Sequence, residues 1–496
     1  MVVKLRRPIL VGGVGLSFSL WLLQCLHHSV VQVGEFSLLG AIAVGSGLWL
    51  FQQRASQNTQ LQLDSSPLAQ ATVEKAIREA EGVVSHLEAE AENHESISSR
   101  LRERVAQLTV ELERQEIHLA VTGGKAVGKT TLIQVLSSWV PQIQQTLCLR
   151  ETSALFTGTD AGLTAETAAM EVAIASDLVL FVTNGDLTEP EFKTLQQLSA
   201  ANQRLVLIWN KQDQYVPEER VIVLHSLRQR MQEMLGVKDV VGIAASPSPV
   251  KVRQHQADSS VQEWMEQPAP DTNQLTQQLA QILTQEGQQM VWATTLRGAV
   301  ALKAEATRKL NGVRRDRALP AIEQYQWIAA AAAFANPVPA LDILATAAIN
   351  AQMVMDLGGI YQQKFSLQQA QAVAGTMGSL MLKLGLVELS TKTIGTVLKS
   401  NAITFVAGGV VQGVSAAYLT RLAGLSLIEY FQNQELVKNA ETGNPLNLDK
   451  LGQTLKNVFQ QHQHLGFLQS FVKQGVGRLP LSPHPEITGG ETVVSY

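Results

Sequence analysis

Two short stretches hold residues whose types and spacing could do chemistry. The first is Ile117 to Thr131, IHLAVTGGKAVGKTT. Its apolar, β-branched opening reads as a buried parallel strand. Gly123, Gly124, Lys125, Ala126, Val127, Gly128, Lys129, Thr130 and Thr131 then fit a phosphate-binding loop, and Leu132 to Trp139 reads as the helix that follows it. Glycines let backbone N–H groups turn inward around an anion, and the helix N-terminus adds the positive end of its dipole. Lys129 then reaches the β- and γ-phosphates, and the Thr130 hydroxyl is a Mg²⁺ ligand. The spacing implies a bound nucleoside phosphate.

The second stretch is Asn210-Lys211-Gln212-Asp213, directly after the apolar run Arg204 to Trp209. A carboxylate at Asp213 can accept from the ring N–H and the exocyclic amine of guanine, a donor pair that adenine lacks. Asn210 can tie this loop to the phosphate loop, while the Lys211 stem covers the base plane. Ala245 and Ser246, after the next apolar run, could supply a backbone N–H to the guanine oxygen. Together the two stretches select GTP and GDP over adenine nucleotides.

Elements must hold these loops in place, and their pattern is alternating. Thr146 to Leu149, Leu178 to Val182, Leu205 to Trp209 and Val240 to Ala244 read as strands. Helical segments near Ala165 to Ala175, Pro190 to Ala201, Glu218 to Leu235 and Gln274 to Glu286 separate them. This defines an α/β domain over 116–290, a mostly parallel sheet with helices on both faces. Ser246 to Pro270, rich in Pro, Ser and Gln, reads as a loop or linker.

The flanks are different. Pro8 to Leu26 is charge-free and long enough to span a hydrocarbon core of about 30 Å as a helix, and a second apolar run covers Phe36 to Phe51. Lys4, Arg6, Arg7 and Arg54 bracket a connection without Lys or Arg, so a transmembrane hairpin over 1–55 with both ends in the cytoplasm is expected. A cleaved signal peptide is the alternative, but no small-residue cleavage site follows the first run. Over 64–115 the stripe Ile77, Ala80, Val84, Leu87, Ala91, His94, Ser98, Leu101, Val105, Leu108, Leu112 forms an a/d heptad seam. It predicts a coiled-coil helix that either joins two copies of the chain or packs on the nucleotide domain. After a helical stretch, Thr294 to Arg317, with a basic end, Ala318 to Phe431 is rich in small apolar residues, and 294–431 reads as an all-α domain on or partly in a membrane. The tail over 432–496 reads as polar and partly disordered. A net charge of −4 offers no basis for bulk nucleic-acid binding, and the two cysteines, Cys25 and Cys148, form no disulfide framework.

With these motifs in place, the chain resembles a translation-factor-type, Era-like P-loop GTPase domain. The Asn336-Pro337 region, Leu384-Gly385-Leu386-Val387-Glu388 and Ala417-Tyr418-Leu419-Thr420 resemble the YcjF-like helical family, also called DUF697. The arrangement is similar to that of membrane-associated GTPases of cyanobacteria. The resemblance implies GTP binding, GTP hydrolysis and membrane association. It also implies an Asp-x-x-Gly motif, with Gly162 as its glycine; Thr159 stands at the Asp position, and the adjacent Asp160 is the candidate Mg²⁺ carboxylate. Leu163 occupies the place of the water-orienting Gln of Ras-like enzymes, and Ala126 that of the Asn of potassium-activated relatives. Lys129, Thr130, Asp160 and Gly162 are therefore the expected catalytic set. Three functions are in play: a membrane-anchored, slow GTPase, a GTP-binding scaffold without turnover, and a GTP-gated conduit using Asp342, Asp356 and Lys383. The membrane-anchored GTPase is the leading reading. Guanine nucleotide, membrane lipid and a second copy of the chain are the expected partners.

Overall fold

The structure is a computed structural model that describes residues 68–91, 95–139, 146–158, 160–255, 261–335, 339–400, 409–433, 448–462 and 465–478. The expected membrane hairpin over 1–55 lies outside the described residues, as do His94 and Thr159. The chain divides into two compact units. One contains Gln115–Thr294; the other joins Ala69–Arg114 to Thr295–Tyr496.

The heptad stripe forms two helices rather than one, α1 (Gln70–Glu90) and α2 (Glu95–Leu112). They fold back antiparallel, as the contacts of Arg102 with Glu88 and Ser85 show. Ile77, Ala80, Val84, Leu87, Ala91, Leu101, Val105, Leu108 and Leu112 are all buried, so the seam is used up inside the helical unit.

In the first unit, β1 (Glu116–Gly123) is followed by α3 (Lys129–Ser137), β2 (Thr146–Glu151), α4 (Asp160–Ala175) and β3 (Leu178–Thr183). Next come α5 (Glu189–Ala200), β4 (Arg204–Trp209), α6 (Pro217–Met231) and β5 (Val240–Gly242). The sheet order is β2-β1-β3-β4-β5, parallel throughout. Strands β1, β3, β4 and β5 are buried on both faces, which is why they read as apolar runs, whereas the edge strand β2 stays partly exposed. Ile117, Leu119 and Val121 of β1, with Leu180 of β3 and Ile208 of β4, pack under Leu132 of α3. Ala120, Phe181, Leu207 and Trp209 point the other way, against Ala173, Leu195 and Leu227 of α4, α5 and α6. The chain crosses from one face to the other between β1 and β3, the place where doubly wound sheets leave a ligand crevice.

The stretch expected as a linker after Ser246 instead contains an antiparallel hairpin, β6 (Val250–His255) with β7 (Val261–Glu266). A 63-residue helix, α7 (Asn273–Ala335), follows. Its first turns bury Leu275, Leu279, Ile282 and Leu283 against the sheet.

The helical unit takes the later part of α7, then α8 (Pro339–Ile360), α9 (Leu367–Lys383), α10 (Leu386–Ser400), α11 (Gly409–Gln432), α12 (Leu448–His462) and α13 (Leu465–Arg478). The tail is therefore not merely polar. Leu451, Leu455 and Val458 of α12, with Leu468, Phe471 and Val472 of α13, join the core made by Ile322, Leu357, Met377, Tyr418 and Leu422. Trp327 stacks on Phe471 at 5.7 Å. Among the described residues no single helix is long and apolar enough to cross a membrane, whereas α9 and α10, bent by 68°, pass together on length and composition.

Candidate functional site

Strand β1 ends at Gly123, and the loop to α3 is built on backbone that only certain residues tolerate. Gly123 has φ +145° and Gly128 φ +98°; a Cβ would stand 2.2 Å from the Val182 carbonyl oxygen at the first and 2.3 Å from Asn210 Nδ2 at the second. Both positions require glycine. Ala126 also takes a left-handed conformation, φ +59°. The loop is thereby held open beneath the N-terminus of α3.

Lys129 is the first residue of that helix, and its side chain folds back under the loop. Its Nζ donates to the Gly123 carbonyl at 3.1 Å and the Gly124 carbonyl at 2.9 Å. Burial pushes the ammonium below the ordinary lysine range, and the nearby Glu151 carboxylate opposes that shift. A charge held in this way favours an anion over the loop, since a phosphate restores the solvation that burial removed.

Parallel pairing sets Val121 of β1 beside Glu151, the last residue of β2. There Thr130 Oγ1 donates to Glu151 Oε1 at 2.8 Å. A hydroxyl and a carboxylate, both hard oxygen donors, thus meet at the edge of the phosphate loop, which is the chemistry Mg²⁺ takes beside phosphates. Among the described residues no group of three or more His, Cys, Asp and Glu could hold a metal alone. Any Mg²⁺ here needs phosphate oxygens to complete its shell.

The chain beyond Glu151 runs along the loop. Thr152 N donates to Val121 O at 3.1 Å, its hydroxyl to Thr122 Oγ1 at 2.9 Å, and Leu155 N to Gly123 O at 3.1 Å. Asp160 and Gly162 lie instead in the first turn of α4, beyond this clipped segment. The strand-end position expected for Asp-x-x-Gly is occupied by Glu151-Thr152-Ser153-Ala154. Glu151 is the residue that motif-matching passed over. The signal that could have found it is a carboxylate closing the first strand after the phosphate loop, whatever follows it.

The base-side loop is bolted to the phosphate loop. Asn210, buried, donates through Nδ2 to Val127 O at 2.9 Å and accepts at Oδ1 from Ala245 N at 3.0 Å. Lys211 Nζ reaches Ala126 O at 2.8 Å, which fixes the direction of its stem. Asp213 Oδ2 accepts from Ser248 N at 3.0 Å, while Oδ1 is buried with no hydrogen-bond partner. An acceptor left in that condition costs about 1–3 kcal/mol unless a ligand completes it. The structure therefore gathers Gly123 to Thr131, Asn210, Lys211, Asp213, Ala245 and Ser246 at one end of the sheet. Ala245 N–H is already given to Asn210, which leaves Ser246 as the residue of that pair for a base oxygen.

Residues 298–464 match the family described as "Domain of unknown function (DUF697)", so the chain carries that domain. Translation elongation factor SelB from Methanococcus maripaludis is similar at 21% identity, covering 27% of this chain and 30% of its own, with a TM-score of 0.22. A GTP-binding protein from the hyperthermophilic archaeon Sulfolobus solfataricus, in complex with GDP, is 15% identical over 42% of this chain and 67% of its own, TM-score 0.25. LeoA, a bacterial dynamin GTPase from ETEC, is 12% identical over 82% of this chain and 98% of its own, TM-score 0.28. No curated protein matches the sequence. The class is thus a phosphate-loop α/β unit joined to a DUF697 domain.

Proposed function

We propose that this chain is a membrane-anchored GTP-binding protein that hydrolyses GTP slowly and passes its nucleotide state to the DUF697 helices. The observation that carries the guanine reading is Asp213, one carboxylate oxygen held by Ser248 N–H and the other buried without a partner. A guanine edge supplies two N–H donors to such a group; adenine does not. Lys129 balances phosphate charge, and Thr130 with Glu151 holds Mg²⁺, which supplies charge neutralisation at the phosphates. Glu151, rather than Asp160, takes the carboxylate role in this reading. The membrane part rests on the charge-free run Pro8 to Leu26 and its basic flanks.

The test is competition binding with GTP, ATP and xanthosine triphosphate. Wild-type protein should prefer GTP to ATP by at least about a hundredfold, roughly two charge-assisted hydrogen bonds. Asp213→Asn should reverse the order of GTP and xanthosine triphosphate, because an amide donates to the xanthine carbonyl. Equal ATP and GTP affinity in the wild type would sink the reading. A scaffold without turnover is the second reading, favoured by Ala154 and Leu155 after Glu151; phosphate release from purified protein separates the two.

A further inference from the structure

The corner between α9 and α10 has an outer face rich in exposed leucine and poor in charge. No Asp, Glu, Lys or Arg occurs from Leu367 to Leu382. Ala372, Gly375, Gly378 and Ser379 are exposed along α9, where a water-facing helix would ordinarily carry charge. Leu382 is 68% exposed and Leu389 50%, one on each side of the turn, with Leu384 between them. Nothing packs within 4 Å of where a side chain would stand at Gly375, Gly378 or Gly395. An open hollow of about 370 Å³ lies at the bend, lined by Leu382, Gly385, Val387, Glu388, Thr391 and Lys392. Gly385, with φ +67°, allows the sharp turn. The two helices together have the length and composition of a membrane segment, broken by a 68° bend between them.

Charge decides what covers this face. Lys383 and Lys392 are both exposed beside the leucines, with a single carboxylate, Glu388, paired to Lys392 at 3.0 Å. Long lysine stems can lie along an apolar boundary and set their ammonium groups among phosphates. Leucines flanked by two lysines, against one carboxylate, on a bent surface match the interface of a bilayer, where apolar side chains enter the acyl boundary and cations meet anionic headgroups. We propose that the α9–α10 corner lies flat in the interface of an anionic lipid bilayer, with Leu382, Leu384 and Leu389 in the acyl boundary and Lys383 and Lys392 at the headgroup phosphates. This deepens the membrane part of the function proposed above and is independent of nucleotide. A monotopic contact by the helical unit would place a second membrane attachment far along the chain from Pro8 to Leu26.

The experiment uses the full chain with Cys25 and Cys148 replaced by serine and one cysteine introduced by Leu382→Cys or Leu389→Cys. An environment-sensitive fluorophore is attached there, and Val110→Cys, at an exposed position of α2, is the reference. In vesicles of phosphatidylcholine with phosphatidylglycerol, both corner probes should shift to the blue and be quenched by nitroxides on the acyl chains. The reference probe should respond only to a quencher in water. Adding Lys383→Gln and Lys392→Gln should lower the preference for phosphatidylglycerol vesicles over phosphatidylcholine alone by roughly fivefold per lysine, the equivalent of about 1 kcal/mol each. Corner probes that behave like the reference would overturn the proposal while leaving the N-terminal anchor standing, provided the protein still floats with the vesicles. Probes shielded from both quenchers would overturn it in favour of a protein partner on the glycine stripe. A chain that does not float with vesicles at all removes both membrane readings.

Discussion

Glu151→Gln is the substitution that bears most directly on the site. It preserves length and hydrogen-bonding reach but removes the charge beside Thr130. The bond from Thr130 Oγ1 at 2.8 Å lies at an exposed position, so it contributes about 1 kcal/mol or less to the fold, and the melting temperature should scarcely move. The cost should appear in the metal. Groups that support a bound metal are worth about 10–100-fold in metal affinity or activity when removed. The Mg²⁺ concentration giving half-maximal enhancement of GTP binding should therefore rise by about that factor, roughly 1.4–2.8 kcal/mol. In EDTA the variant should bind GTP as well as the wild type or better, because one negative charge near the phosphates is gone. Lys129 gives a second readout. Burial lowers its pKa and Glu151 opposes that, so the variant should carry a lysine shifted further down. Calorimetric titration of GTP across a Mg²⁺ series measures the first effect, and Asp160→Ala is the comparison. If Asp160→Ala moves the Mg²⁺ midpoint and Glu151→Gln does not, the carboxylate has been misassigned.

Lys129→Ala should weaken GTP binding by at least about a hundredfold, since two charge-assisted phosphate bonds are lost, while removal of a buried cation leaves the melting temperature nearly unchanged; unchanged affinity in calorimetry would contradict it. Glu90→Ala should destabilise the helical unit by about 3–5 kcal/mol, because it strands a buried guanidinium. Arg314, with a side chain 1% exposed, donates to Glu90 Oε1 at 2.6 Å through Nη2 and to Oε2 at 3.0 Å through Nε. The double change Glu90→Leu with Arg314→Met should recover most of that loss in a urea titration. For the N-terminal hairpin, Ser29→Cys should react with an impermeant thiol reagent added from outside; labelling only after permeabilisation would refute the topology.

What the sequence made legible was local. The phosphate loop can be read because its glycines, lysine and threonine act within a few residues of one another. The Asn210 to Asp213 loop can be read because an apolar strand precedes it. Glu151 could not be read in this way. Its place beside Thr130 depends on the register of β2 against β1, which couples Val121 to Glu151 across the intervening helix. An Asp-x-x-Gly pattern points to Gly162, where the backbone has already become helix. The stripe from Ile77 to Leu112 showed which face is buried, but a heptad pattern does not state its partner. Here α1 folds onto α2, and Gly298 of α7 lets Leu108 approach to 2.8 Å from where a Cβ would be. Leu451, Leu455 and Val458 have helical spacing, yet the Gln and Lys around them gave the tail a polar composition. The β6–β7 hairpin carries Lys251, Arg253 and Glu263 in cross-strand ion pairs; the apolar alternation is confined to Val250 and Val252 of β6 and is absent from β7, too short a signal to mark a hairpin.

The choice of carboxylate also bears on turnover. Had Asp160 been the motif carboxylate, Leu163 would stand where a Ras-like enzyme aligns the attacking water. With Glu151 in that role, the residue following Ala154 is Leu155. It is 3% exposed, and its N–H is held by Gly123 O at 3.1 Å. Both registers put leucine there, and a buried leucine can neither orient water nor accept its proton. Phosphoryl transfer depends largely on positioning and electrostatic stabilisation, so the chain should hold GTP well and cleave it poorly. Intrinsic hydrolysis by monomeric, lipid-free protein should stay well below about one turnover per second. Leu155→Gln should not raise the rate much, because a side chain facing the core under Ala120 and Phe181 points away from solvent. Acceleration should instead require a group from outside the chain, and an arginine donated by a partner or second copy would serve. Single-turnover phosphate release, with and without vesicles and across protein concentration, separates these cases. Fast hydrolysis that is independent of both would show that some residue of this chain already aligns the water, and the argument from Leu155 would fail.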